Sequence, residues 1–140
     1  MKKLLAVAVM AVMLCLVVSG NAFADDRCVD NGDGTVTDKW TRLMWQQATA
    51  GPMNWDAAMS YANNLSLGGH SGWWLPSKDE LTGLYDSPCK SMMQVQPTRY
   101  WSSTTDAYDT DLAWLVDFYL GMSILHKSDS YYVRAVRAGQ

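Results

Sequence analysis

Histidine is almost missing from this chain, with two residues in 140, and cysteine stops at three. Neither His70 nor His126 has a cysteine or histidine partner at zinc-ligand spacing, so no zinc site can be read from them and both are expected to be structural or surface groups. Positive charge is not in excess. Eleven Lys and Arg against fourteen Asp and Glu give a formal net charge of −3, and no basic stripe is present, which argues against nucleic acid as a partner. Linkers, internal repeats and low-complexity tracts are lacking too. No Gly-x-Ser-x-Gly elbow surrounds Ser102-Ser103 and no base stands near it in the sequence, so no catalytic constellation is legible.

The longest apolar run, Leu4 to Val18, is short of the roughly 20 residues a transmembrane helix needs. It follows Met1-Lys2-Lys3 and precedes Ala22-Phe23-Ala24, a basic start and a small-x-small cleavage site: the layout of an export signal over residues 1–24. An uncleaved anchor is the alternative. A lipoprotein is disfavoured, because Cys15 sits inside the run and Cys28 follows Asp26-Arg27. The expected mature chain, residues 25–140, is one domain, destined for the periplasm or for secretion to the cell surface, with no membrane contact after cleavage. Losing Lys2 and Lys3 takes its net charge from −3 to −5. Losing Cys15 leaves Cys28 and Cys89, which in an exported chain read as one disulfide, with a pair of free thiols as the alternative.

The most directive stretch is Leu65 to Tyr85. One helix ends at Gly68-Gly69, an elbow follows at Trp73-Trp74-Leu75-Pro76, and Ser77 with Glu80 three residues on opens a second helix to Tyr85. Asn54 caps the first helix, whose buried stripe is expected at Trp55, Ala58, Met59 and Ala62. Residues 27–46 read as a strand meander with a turn at Asn31–Gly34. Asp86 to Arg99 reads as a long loop. Strands are expected over Tyr100–Thr104, Leu112–Tyr119, Ser123–Lys127 and Tyr131–Arg137. In the second of these Trp114, Val116 and Phe118 are assigned to the core face, and Leu115, Asp117 and Tyr119 to the other. The fold class is α+β, with two helices packed on a twisted, mainly antiparallel sheet.

Four blocks, DNGDGTVTDKWTRLMW, NWDAAMSYANNLSLGGHSGWWLPSKDEL, YWSSTT and YYVRAVR, occur in an order and spacing that resembles the Lcl C-terminal domain family, the module that ends a collagen-like adhesin. The resemblance covers essentially the whole mature chain. It implies a C-type-lectin-like fold with a long loop region, adhesin-type binding, and assembly as a homotrimer. Many members carry cysteines where Ala62 and Ala135 stand here, apparent partners in a second disulfide, and an aspartate and an arginine where Gly72 and Trp74 stand.

Chemical candidates are few. Asp30-Asn31-Gly32-Asp33-Gly34 has glycines at the third and fifth positions, where an EF-hand needs ligands, and reads as a turn. Asp106, Asp109 and Asp111 crowd one loop and read as solvated acids. Gln96-Pro97-Thr98 lacks the acid or amide that would end a lectin calcium triplet, so no metal and no cofactor is expected. Arg134 and Arg137 are expected to pair with aspartates. All 7 Trp and all 7 Tyr lie in the mature chain. Trp45, Trp55, Trp101 and Trp114 are assigned to the core. Tyr108, Tyr119 and Tyr131 are placed on loops or outward strand positions, where a ring with a hydroxyl suits stacking on sugar or anchoring a protein.

The expectation is an exported, non-enzymatic recognition domain that binds a glycan or an envelope protein without calcium. The ligand-binding residues are expected to be Tyr108, Asp109, Asp111, Tyr119, His126 and Tyr131. The alternatives are a structural subunit of a cell-surface assembly and an enzyme like the formylglycine-generating enzymes, which share a related fold but work through thiols.

Overall fold

The computed structural model describes residues 26–96 and 98–139. The expected export signal, residues 1–24, lies outside the described residues, as do Asp25, Pro97 and Gln140. Among those described, no helix is long and apolar enough to cross a membrane.

The first sheet is built from β1 (Cys28–Asp30), β2 (Thr35–Asp38), β3 (Leu43–Gln46) and β9 (Val136–Ala138), in the order β1-β2-β3-β9 and antiparallel throughout. The meander is as expected, and local bonding explains its turn. Gly32 and Gly34 take φ of +74° and +89°, while the Asp30 carboxylate accepts from Gly32 N–H at 3.0 Å and the Asp33 carboxylate from the Thr35 hydroxyl at 2.6 Å. Aspartates occupied in this way hold a hairpin.

The second sheet contains β4 (Ala50–Met53), β5 (Arg99–Thr105), β6 (Leu112–Asp117), β7 (Gly121–His126) and β8 (Tyr131–Val133), in the order β4-β8-β5-β6-β7. All its pairs are antiparallel except β5 with β8, which run parallel at Tyr100↔Tyr132. Two helices pack against the sheets: α1 (Trp55–Asn64) and α2 (Lys78–Tyr85). Both start where the sequence places them. Asn54 accepts from Ala57 N–H at 2.9 Å. Ser77 and Glu80 form the reciprocal box, with Ser77 Oγ accepting from Glu80 N–H at 3.0 Å and Glu80 Oε1 from Ser77 N–H at 2.9 Å.

Three expectations change. The strand expected over Tyr131–Arg137 is two strands in different sheets, interrupted at Arg134-Ala135. There the chain crosses between sheets, while Ala135 N–H donates to the Gln46 side chain at 3.0 Å and Arg134 turns inward. The long loop after α2 contains a 3-10 helix, Pro88–Met92, capped by Ser87. The one-wet-face assignment of β6 fails. Leu115 is fully buried among Ala58, Trp73, Trp101 and Val133, while Val116 and Phe118 are buried in a second cluster with Val36, Trp45, Leu81 and Leu84. Secondary structure covers both faces of this strand, so its side chains alternate between two cores rather than between core and water.

Tryptophan placement shifts accordingly. Trp45 and Trp101 are buried as expected, and Trp73 joins them. Trp55 and Trp114 are only half-buried. Their rings are covered by the ammonium groups of Lys127 at 3.9 Å and Lys78 at 4.3 Å.

Cys28 and Cys89 form a disulfide across 61 residues of sequence. The second staple suggested by the family pattern is replaced by packing, because Ala62 and Ala135 are both fully buried in the same cluster. Trp74, in place of the family's arginine, donates its indole N–H to Glu80 at 3.3 Å and exchanges backbone bonds with Val136.

An acid response is built into the first sheet. Arg27 grips the buried Asp38 carboxylate with two bonds of 2.9 Å. Burial pushes that carboxyl up, but the Arg27 bonds and the Trp40 N–H outweigh it, and the net shift is downward. Asp33 is also lowered, chiefly by the Thr35 hydroxyl. Groups with depressed folded-state values add stability that is complete above the ordinary carboxylate range and is lost as pH falls through the depressed values. Stability should therefore hold down to about pH 4 and decline below it. Asp38→Asn should flatten that decline in an acid titration followed by tryptophan fluorescence.

Candidate recognition surfaces

The β5–β6 loop, residues 106–111, is held by its own acids. Asp106 accepts from Asp109 N–H at 3.2 Å, Asp109 accepts from Asp111 N–H at 3.0 Å, and Leu112 O accepts from Asp106 N–H at 2.9 Å. Tyr108 projects from this braced loop with 99 % of its surface exposed. Asp111 O accepts from Lys127 N–H at 2.9 Å, and His126 lies opposite Leu112, so the loop and the end of β7 form one surface. Lys127 extends that surface toward Trp55, whose backbone N–H donates to Lys127 O at 3.0 Å. Four of the six expected ligand residues, Tyr108, Asp109, Asp111 and His126, therefore meet at this end of the sheet.

The other two lie elsewhere. Tyr119 sits on the β6–β7 turn, at the opposite end of the hairpin, with the length of β6, about 20 Å, between it and the acidic loop. Asp117 braces that turn by accepting from Tyr119 N–H at 2.8 Å. Beside it is a groove of about 400 Å³ lined by Lys90, Ser91, Met93, Val95, Phe118 and Tyr119. Tyr131 is half-buried, packed edge-on against Trp101 with ring centroids 5.3 Å apart, and works as part of the core boundary. Both faces of β8 are covered, since Tyr131 packs against one core and Tyr132 against the other. Tyr119 is exposed as expected but lies far from the acidic loop, because alternation along a strand gives a side chain's face and not its end.

Trp40 was missed. It stands on the β2–β3 turn, 76 % exposed, with the Arg27 guanidinium 4.4 Å from its ring centre. A cavity of about 390 Å³ nearby is lined by Thr37, Lys39, Arg42 and Gly139, and Arg42 holds a positive φ of 59°. The signal was available in Asp38-Lys39-Trp40-Thr41-Arg42, a short charged turn that leaves a tryptophan nowhere to bury.

Among the described residues, the arginines of the last strands do not pair with aspartates. Arg134 is fully buried and donates only to carbonyl and hydroxyl oxygens, apart from a contact with the Met93 sulfur. Arg137 donates to the carbonyls of Ser71 and Ala138. Ser102 Oγ is likewise consumed, donating to Trp114 O at 2.7 Å. His70 exchanges backbone bonds with Leu67, and its carbonyl accepts from the Trp73 indole at 3.0 Å. Among the described residues no group of three or more His, Cys, Asp or Glu is placed to hold a metal ion.

Two helices on two mixed and antiparallel sheets, with braced loops at the sheet ends, define a C-type-lectin-like α+β domain. The family profile of the Lcl C-terminal domain matches residues 34–137, and the chain belongs to that family. The family is a collagen-like adhesin module and not an enzyme family. No curated protein matches the chain.

Proposed function

We propose that the protein is an exported adhesin-type recognition domain that binds a glycan or an envelope protein without calcium, through the surface formed by the β5–β6 loop and the end of β7. The observation that carries this reading is Tyr108, an aromatic ring left in solvent on a loop braced by one oxygen each of the Asp106 and Asp109 carboxylates. An exposed ring on a pre-ordered loop meets a ligand with little ordering cost, as interface aromatics do. Asp109, Asp111 and His126 supply polar contacts around it. The acidic balance of the mature chain favours neutral glycans or proteins over polyanions.

Binding to immobilised glycans and to solubilised envelope proteins, measured with and without EDTA, tests the reading. Capture should be equal in both conditions. The thermal midpoint should also not respond to millimolar calcium, whereas a cation at 100 times its dissociation constant would add about 2.7 kcal/mol. Capture that depends on calcium would contradict the proposal.

A further inference from the structure

The second sheet has two edges, and they differ. At one edge, β4 contains Gly51 and Pro52, and its register with β8 shifts between Ala50 and Met53. Proline offers no N–H and irregular register discourages a new strand, so this edge is blunted against pairing. At the other edge, β7 (Gly-Met-Ser-Ile-Leu-His) has no proline, no charge and an unbroken register with β6 from Leu112↔His126 to Asp117↔Gly121.

The bond from Lys127 N–H to Asp111 O sets the phase of that ladder. Gly121, Ser123 and Leu125 point their backbone groups at β6, so Met122, Ile124 and His126 point theirs outward. Among the described residues only one of these outward groups has a backbone partner, the His126 carbonyl, which accepts from Asp129 N–H at 3.0 Å. Apolar surface collects at the same edge: Tyr119 is 71 % exposed, Leu120 84 % and Met122 52 %.

We infer that β7 pairs antiparallel with β7 of a second copy of this chain, about a two-fold axis at Ile124. Three features select a second copy. The outward groups recur at every other residue on either side of Ile124, so the edge complements itself and forms about four new bonds between free groups, plus two to the second lone pair of the His126 carbonyls. The register also sets no like charges against each other, since Lys127 faces Gly121 of the partner copy and Asp129 faces Tyr119. A head-to-tail ring through the sheet edges, as one route to the homotrimer that the family resemblance implies, would need β4 as the opposite edge, and Pro52 blunts it. The contact is narrower than the ~800 Å² per partner of a standard interface, so it is a weak, concentration-dependent dimer.

Sedimentation velocity on the purified full-length protein tests this. The protein should run as a monomer at about 1 μM and as a dimer at about 200 μM, a range suited to an interface of this size. Amide exchange at Met122, Ile124 and His126 should slow at the higher concentration. Ile124 is half-exposed and its N–H faces away from β6, so I124K and I124E should fold, as their thermal midpoints will show. Each should remain monomeric alone at 200 μM, and an equimolar mixture should recover the dimer. A wild-type monomer or trimer at 200 μM overturns the inference, as does a dimer that both variants still form alone.

Discussion

Replacing Arg134 by methionine should cost about 4–6 kcal/mol, enough to remove a large share of a typical domain's stability. The guanidinium is completely buried, yet among the described residues no carboxylate faces it. Instead it donates to the carbonyls of Gln46, Gln47 and Gln94, each at 2.6 Å, and to Thr49 Oγ1 at 3.0 Å. The planar fork thus ties the chain after β3 to the segment leading into β5, from a position between β8 and β9. Its underside lies against the Tyr100 ring, 5.5 Å from the ring centre. Methionine fills much of the volume but strands several buried carbonyls, each costing about 1–3 kcal/mol when left unpaired. Arg134→Lys keeps the charge and loses the geometry, so it should recover only part of the loss. Urea unfolding of the two variants checks this. A methionine variant within 1 kcal/mol of wild type would mean that water replaces the guanidinium.

Breaking Cys28–Cys89, by reduction or by Cys89→Ser, should cost about 4 kcal/mol on the loop-entropy account. The bond spans 61 residues and joins β1 to the 3-10 helix. Both cysteines are buried in the first core, in the cluster that also holds Met93 and Phe118. Among the described residues no second staple shares the load, because Ala62 and Ala135 only pack. The shift in urea midpoint with reductant reports the size of the effect, and intact mass after alkylation reports the bond itself. Two alkylatable thiols in unreduced protein would contradict it.

The helices were legible because their signals are local: an Asn54 cap, a Ser77–Glu80 box and glycines at the intervening break act within a few residues. The first hairpin was legible for the same reason. What escaped depends on distant parts of the chain. Arg134 reads as a partner for an aspartate until β3 and the segment before β5 present carbonyls to it. Leu115 reads as outward-facing until α1 covers that side of β6. β4 was hidden because Gly51-Pro52 carries turn chemistry within an edge strand. At the candidate site, alternation gave the direction of a side chain but not its end of the strand, so Tyr119 was grouped with residues about 20 Å away. Trp40 was passed over because tryptophan is usually buried, and only the turn around it prevents burial here.

The most direct test of recognition through the β5–β6 loop compares Tyr108→Ala and Tyr119→Ala, which sit at opposite ends of one hairpin, in binding to a captured glycan or envelope protein. Tyr108→Ala should weaken binding by about tenfold or more with an unchanged thermal midpoint, as loss of an exposed aromatic anchor does, while Tyr119→Ala binds like wild type. Full-strength binding by Tyr108→Ala, together with loss in Tyr119→Ala, would contradict the account and move the site to the β6–β7 turn.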